Sequence, residues 1–596
     1  MAFRRSLLVL GLLSLVMLAA CGGVGGGTPP PGDGAGAGAG VLRVEVEGVP
    51  GRVGANVLVS GPEGFSERLS AGLSVFSDVP LGAYEIVAFG VTDAAQSDVG
   101  YSPLESSFVV QVEDATGASV LVEYEELRVL ASDRSRPMDT DTESLLVGAE
   151  SRSLRRFSVG EPLEEAGGTL RFATSNAYLD DLEVGDVITV GVTPATPQGF
   201  IGTVLAVRGE SDGAIVVEAE PATLADVVEQ GVLAFSTTLS PTDVVSTTTY
   251  YDGIDPLGVP DGLQPSDVSH SFCPIAKKVD LLQDSRHKLE LDGSLCFSLD
   301  VDFSVSVHLW RSNELSFVTT VRETAKIELT GEANLPAFDR TFPLVDYTLT
   351  PLTLWVGPVP VVLTPVITVS VTATGSLVAS FHTGVEQSLT FSAGLHYRNG
   401  GWEQVRPQLR PDFSYTPLTF DAGLQATAGV RPQLALRLYG LVGPTLAVTV
   451  SARADVTPFA RPAWRLLCGF DVRAGVEFTV LGYFELSYDA ALFAREWQVA
   501  QGEGGLRAPP AIDSFLATPR SIDSGDATTL SWRLSGGAPE SASISPGVGC
   551  VAGRSSVTVR PSADTTYTLS VANDAGVVTS STTVSVSVPR DAPTIS

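Results

Sequence analysis

Between residues 241 and 505 apolar and polar side chains alternate over unusually long stretches, among them VITVSVTATGSLVASF, SLTFSAGLHY, TLAVTVSARADV and FDVRAGVEFTVLGYFELSYDAAL. A period of two places successive side chains on opposite faces of a sheet and is incompatible with a helix. The runs reach about a dozen residues, against about 5 to 6 for an ordinary strand. Short Gly, Asn-Gly and Pro turns join them, which predicts an extended antiparallel meander. Asn399-Gly400-Gly401, set between Tyr397 and Trp402, predicts a hairpin. Strands of this kind also suit a transmembrane barrel, but the aromatic residues do not form two regular girdles. The expectation is therefore a soluble sheet stack or elongated sandwich.

The flanking regions carry shorter strands. A chain of 596 residues predicts several domains, and its 44% hydrophobic content is enough to fill their cores. Residues 41–127 alternate in LRVEVEG, YEIVAFGV and SVLVEY, with turns at Pro50-Gly51, Gly61-Pro62 and Pro80-Leu81-Gly82, as in a small antiparallel sandwich. Within them, VFSDVPLGAYEIVA at 75–88 resembles transthyretin-like or carboxypeptidase-regulatory-like domains. That resemblance implies a structural or adhesive module without catalytic residues. Residues 128–168, with SDRSRPMDTDTES, read as a polar linker. Residues 169–240 read as a small β-barrel-like domain, in which Gly185-Asp186 turns the chain into a strand. Residues 509–588 resemble bacterial immunoglobulin-like domains, with Trp532 in the core, Tyr567 at a strand crossing and Pro561 ending a strand. This resemblance implies display or spacing. The fold class expected is mainly β and multidomain, with antiparallel β-sandwiches at both ends and a long-stranded central antiparallel region.

At the amino end, Arg4 and Arg5 precede an apolar run over residues 7–18, shorter than the ~20 residues a membrane-spanning helix needs. The run closes on Leu18-Ala19-Ala20-Cys21, which resembles the bacterial lipobox. The resemblance implies a signal peptide over residues 1–20, cleavage before Cys21 and a diacylglyceryl group on its thiol, so that lipid anchors the chain to a membrane. Gly22 in place of an aspartate favours an outer-membrane or outer-surface destination in the cell envelope. Residues 21–40, rich in Gly with one Pro run, form a flexible tether.

A net charge of −31 repels nucleic acid and anionic lipid headgroups, and leaves cations, neutral glycans and basic proteins as partners. There is no H-E-x-x-H, no G-x-S-x-G, no P-loop and no dinucleotide fingerprint. His308, His382 and His396 lie within alternating segments and read as pleat residues. No resident cofactor is implied. Calcium is the one ion with local support, because Asp139, Asp141, Glu143 and Glu150 occupy positions one, three, five and twelve of an EF-hand-like spacing. Ser144 stands where that loop needs glycine, which favours an acidic linker. Cys273 and Cys296 are near enough in sequence for a disulfide between neighbouring strands, although connectivity is not encoded in spacing. These features favour a surface protein with a binding, adhesion or structural role, acting on glycan or protein, and weigh against an enzyme. A polysaccharide hydrolase using two carboxylates ~5 to 9.5 Å apart, or a carrier of an apolar ligand, is the alternative for the central region.

Overall fold

The computed structural model describes residues 39–151, 168–260, 264, 268–283, 288–332, 335–377, 381–407, 412–420, 424–441, 443–456, 462, 464–476, 488–502, 510–536, 539, 541–573 and 576–587. The leader, Cys21 and the tether as far as residue 38 lie outside the described residues, whereas Ala39 and Gly40, read as the end of the tether, open the first strand. The protein is mainly β and multidomain, built from several antiparallel sheets.

The first unit is a sandwich of two sheets. One runs in the order Gly72–Pro80, Ala39–Glu47, Ala118–Arg128, Gln96–Pro103, Val91–Asp93, the other Ser66–Leu69, Asn56–Ser60, Gly82–Phe89, Ser107–Val112. Leu42, Val44 and Val46 point inward against Val57, Val59 and Ile86, while Arg43, Glu45 and Glu47 stay exposed. Tyr84 fills the centre of this core and its hydroxyl donates to the Pro80 carbonyl at 2.7 Å.

The second unit departs from the sequence boundaries at both ends. Its six-stranded sheet takes Ser135–Pro137 and Leu146–Ser151 from the stretch read as linker, beside Val187–Val190, Phe200–Gly209, Ile215–Pro221 and Gly168–Phe172. A three-residue Ser-Arg-Pro strand has no period to read. It is held by parallel pairing with Val187–Val190, and the isolated Met138 and Leu146 reach the core. At the other end Val228–Leu239 leaves this unit and pairs antiparallel with Lys288–Val307 of the next.

The central unit is a sandwich of two large sheets. One runs Leu130–Ala131, Val228–Leu239, Lys288–Val307, Glu314–Glu332, Phe381–Arg398, Gly401–Val405. The other runs Val244–Thr249, Leu335–Leu349, Val359–Leu377, Leu424–Leu438, Thr445–Val456, Trp464–Val476, Tyr488–Gly502. Lys288–Val307 has 20 residues, and its pairing with Glu314–Glu332 is unbroken from Lys288↔Glu332 to Ser306↔Glu314. Continuous alternation permits this length because no bulge interrupts the inward row. That row, with Phe297, Val301, Phe303, Phe317, Val321 and Leu395, packs on Val361, Ile367, Leu436, Val450, Phe470 and Val472 of the facing sheet in one apolar cluster. Phe391 and Phe470 meet across the sheets edge to face at 5.0 Å. The Asn399-Gly400 turn closes Phe381–Arg398 onto Gly401–Val405, with both turn residues at positive φ, as a two-residue hairpin requires.

The last unit packs Pro510–Thr518, Thr528–Gly536 and Ser556–Val559 against a sheet ordered Ser521–Asp523, Gly576–Ser587, Thr565–Asn573, Ser541–Ser545, Gly549–Cys550. Trp532 and Tyr567 are both buried between these sheets, beside Leu530, Leu569 and Val571. The arrangement is an immunoglobulin-like β-sandwich.

Candidate functional site

One surface of the central unit is polar by sequence yet buried. In the first large sheet, residues 301–307, 315–321 and 391–396 are inaccessible on both faces, whereas residues 322–326 alternate between exposed and buried. The outward side chains of the doubly covered half are Asp302, Ser304, Ser306, Ser316, Thr320, Ser392 and His396, and all are buried. The cover is the first unit. Leu58, Val87 and Phe89 form an apolar contact with Val318 and Val405, and Gly90 and Gly100 lie so close to Val232 that a Cβ on either would meet it at 2.8 and 2.6 Å. Small hydroxyl residues let two sheets approach while their polar atoms find partners across the gap.

Asp302 anchors one end of this seam. Arg68 clamps both its carboxylate oxygens, and Asn56 Nδ2 donates to Oδ1 at 2.9 Å. Beside it, Asp300 accepts from the Thr238 hydroxyl at 2.6 Å and from Arg322 at 2.7 Å.

The other end is built around two histidines. Ser106 Oγ lies 2.7 Å from His396 Nε2, and Ser316 Oγ lies 2.7 Å from Nδ1. Ser106 also hydrogen-bonds the Glu314 carboxylate, whose carboxyl burial pushes upward. A hydroxyl has one proton, and giving it to Glu314 leaves Ser106 to accept from Nε2–H, with Nδ1 accepting from Ser316. The ring is therefore neutral, and burial together with nearby Arg398 pushes it down to about 3. His308 Nε2 lies 3.4 Å from Ser102 Oγ, and burial and Arg311 push that ring down to about 4. Arg311 donates to Ser102 and the Pro103 carbonyl and pairs with Glu125 at 3.1 Å, while Arg398 joins Glu105 at 3.1 Å and Glu403 at 2.9 Å. Glu85 belongs to the same seam, and burial raises it to about 7 against the opposing effect of the Arg406 backbone N–H.

A serine hydrogen-bonded to histidine has the composition of a nucleophilic pair, but this one lacks its geometry. A general base must present a lone pair to the hydroxyl and be oriented by a third group from behind. His396 instead donates to Ser106, and its second nitrogen meets a serine. Ser106, His396 and Ser316 are all buried, so no substrate reaches the oxygen. The constellation joins two sheets.

The residues singled out by sequence fall elsewhere. Asp139, Asp141 and Glu143 do not lie on a twelve-residue loop with Glu150: the segment is one helical turn, Thr140–Glu143, followed by the strand Leu146–Ser151. Asp139 caps that turn, accepting from the Thr142 N–H at 2.7 Å, and hydrogen bonding from the Thr142 side chain first and its N–H second holds the carboxyl below the usual range. Glu143 accepts from the Gly191 N–H at 3.3 Å, and Glu150 pairs with Thr169 in the sheet. No group of three or more His, Cys, Asp or Glu side chains converges among the described residues. Cys273 and Cys296 are joined as a disulfide. Cys468 is a buried thiol that burial pushes up to about 12, and Cys550 is exposed.

Two clefts open elsewhere. One lies between the second unit and the turn after Leu424–Leu438, lined by Thr196, Gln198, Phe200, Glu220 and Tyr439. The other is a narrow, mostly apolar crevice lined by Ile275, Leu295, Leu344 and Val369, with Asp292 and Lys326 on its wall. Each brings one carboxylate to its wall. Trp310 is 93% exposed at the tip of a hairpin and Trp355 is exposed on the opposite sheet, so they form no shared stacking platform.

The signal for the seam was present in the sequence as short hydroxyl residues at the outward positions Ser304, Ser306, Ser316, Thr320 and Ser392, with Glu314 and Val318 between them. An outward face meeting water usually carries long charged side chains.

No family model matches the chain, and no curated protein does. Among solved structures, it is similar to Sidekick-1 immunoglobulin domains 1–5 at 9% identity, covering 92% of this chain and 97% of that one with a TM-score of 0.14. It is also similar to the membrane pore complex of Pneumolysin at 9% identity, covering 73% and 88% with a TM-score of 0.07. At such scores neither likeness bears on fold or function.

Proposed function

We propose that this chain is a lipid-anchored surface protein of the bacterial cell envelope, held through Cys21 and serving in binding, adhesion or envelope structure. The seam carries the reading. Its serines, histidines and acids are committed to fixing one sandwich on another, which is the requirement of a display scaffold. Two further features support it. Among the described residues, apolar side chains from both sheets of the central unit pack on one another in one cluster, where a carrier needs an apolar cavity between them. Each described cleft offers a single carboxylate, where a hydrolase needs a facing pair.

The test is Cys21→Ser in the producing cell, read by radiolabelled palmitate incorporation, membrane fractionation and protease shaving of intact cells. The native chain should carry label, sediment with membrane until detergent is added, and be clipped from outside. The variant should lose the label and the membrane association. A native chain without label, or protected inside the cytoplasm, overturns the reading.

A further inference from the structure

The inward face of the same large sheet, apolar over most of its length, carries an acid and an amide side by side. Glu323 and Gln387 are 2% and 3% exposed. Glu323 stands opposite Leu389 and Gln387 opposite Ala325, so the two are diagonal neighbours on adjacent strands. Gln387 Nε2 donates to Glu323 Oε1 at 3.4 Å. Glu323 Oε2 and Gln387 Oε1 are buried with no hydrogen-bond partner.

Both of these oxygens are acceptors while the carboxyl is ionised, and one acceptor does not satisfy another. A single proton resolves both. A protonated Glu323 donates its O–H to Gln387 Oε1 while the amide continues to donate to Glu323 Oε1, which closes a cyclic acid–amide pair. An ionised carboxylate, by contrast, has only the 3.4 Å bond from the Gln387 amide to compensate it. Phe297 and Leu389 flank it across the sheet, and Val321 and Ala325 along the strand. Arg322, Lys326 and Glu328 are at even positions, which face away from this core. The facing sheet contributes Tyr347, Tyr439 and Cys468 to the same core, and burial raises all three so that they stay neutral. No lysine or arginine is buried among the described residues.

We propose that Glu323 enters the fold as a neutral carboxylic acid paired with the Gln387 amide, making the central sandwich a proton-sensitive lock that is firm in acid and loosened in alkali. Desolvation, opposed by the hydrogen bond from Gln387, raises Glu323 from 4.5 to about 7. The folded chain thus keeps a proton that the unfolded chain releases. The stabilisation is complete below 4.5, is lost as pH rises to about 7, and is level above that. Across this window the unfolding constant grows by about tenfold per pH unit.

The test is urea unfolding of the full mature chain from pH 4.5 to 8, followed by tryptophan fluorescence, because Trp310, Trp355, Trp402, Trp464 and Trp497 all belong to the central region. Glu323→Gln keeps an amide partner for Gln387 and has no proton to lose. The native unfolding constant should rise about a hundredfold more than that of the variant over the window. Parallel curves overturn the proposal. Should Glu323→Gln not fold, infrared spectroscopy of the native chain decides. A protonated-carboxyl stretch at pH 6 that fades toward pH 8 and shifts in Gln387→Leu supports the lock, and its absence at pH 6 overturns it.

Discussion

The strand Phe381–Arg398 carries His396 on one face and Gln387, the partner of Glu323 on the neighbouring strand, on the other; His396 and Glu323 respond to protons with opposite sign, and separating them is the sharpest test of the seam. His396 faces the first unit and is neutral in the fold, pushed from 6.5 to about 3 by burial first and Arg398 second. Its folded value is depressed, so its contribution is intact above 6.5 and is lost as pH falls toward 3. At pH 4 the unfolded ring is protonated and the folded one is not, which costs about 3 kcal/mol relative to pH 7 at 1.36 kcal/mol per unit. Glu323, whose partner Gln387 lies on the other face, contributes about 3 kcal/mol in the opposite direction over the same interval. His396 and Gln387 are nine residues apart on one strand, about 30 Å at 3.3 Å per residue, so their effects should add. The native chain should therefore show a nearly level stability between pH 7 and 4 from these two groups. His396→Gln keeps a donor and an acceptor for the two serines but cannot become charged. It should start less stable at pH 7 by about 1 kcal/mol for the imperfect hydrogen bonds, then gain about 3 kcal/mol on acidification while the native chain stays level. Chemical denaturation at several pH values, read by tryptophan fluorescence, provides the comparison. If His396→Gln and native curves run parallel, the ring is not held neutral in a dry seam and the reasoning fails.

Two other substitutions probe the framework. Arg68→Met should lower stability by about 3 to 5 kcal/mol, because it strands the fully buried Asp302 carboxylate without its ion-pair partner; a double variant Arg68→Met, Asp302→Leu should recover much of that loss in the same denaturation assay, and an unchanged single variant contradicts the clamp. Cys273→Ser should cost about 3 kcal/mol, the loop-closure value for a sequence separation of 23, measured as a drop in the unfolding midpoint without reductant; equal midpoints show that the bridge does not form.

Period-two alternation by itself determined that this chain is a β protein, that its middle is made of long strands, and that Asn399-Gly400 turns one of them back. Those properties follow from bond geometry within a few residues, and they survive any arrangement of the sheets. The immunoglobulin-like unit was legible through the resemblance of residues 509–588, whose Trp532 and Tyr567 are buried in its core. Local pattern also separates the two faces of a strand, but it does not name what covers each. Glu314–Glu332 shows why. Its inward residues Phe317 and Val321 are apolar and legible, whereas Ser316 and Thr320 look like a wet face until Leu58, Val87 and Phe89 arrive from more than two hundred residues away. His396 likewise reads as a pleat residue, and becomes a neutral joint only because Ser106 is brought to its Nε2. The Ser135–Pro137 strand has no pattern of its own and exists through pairing with Val187–Val190. Tertiary structure decided these points because desolvation is set by the partner surface, and a polar group's charge, hydrogen bonds and role follow from whether water or another sheet lies against it.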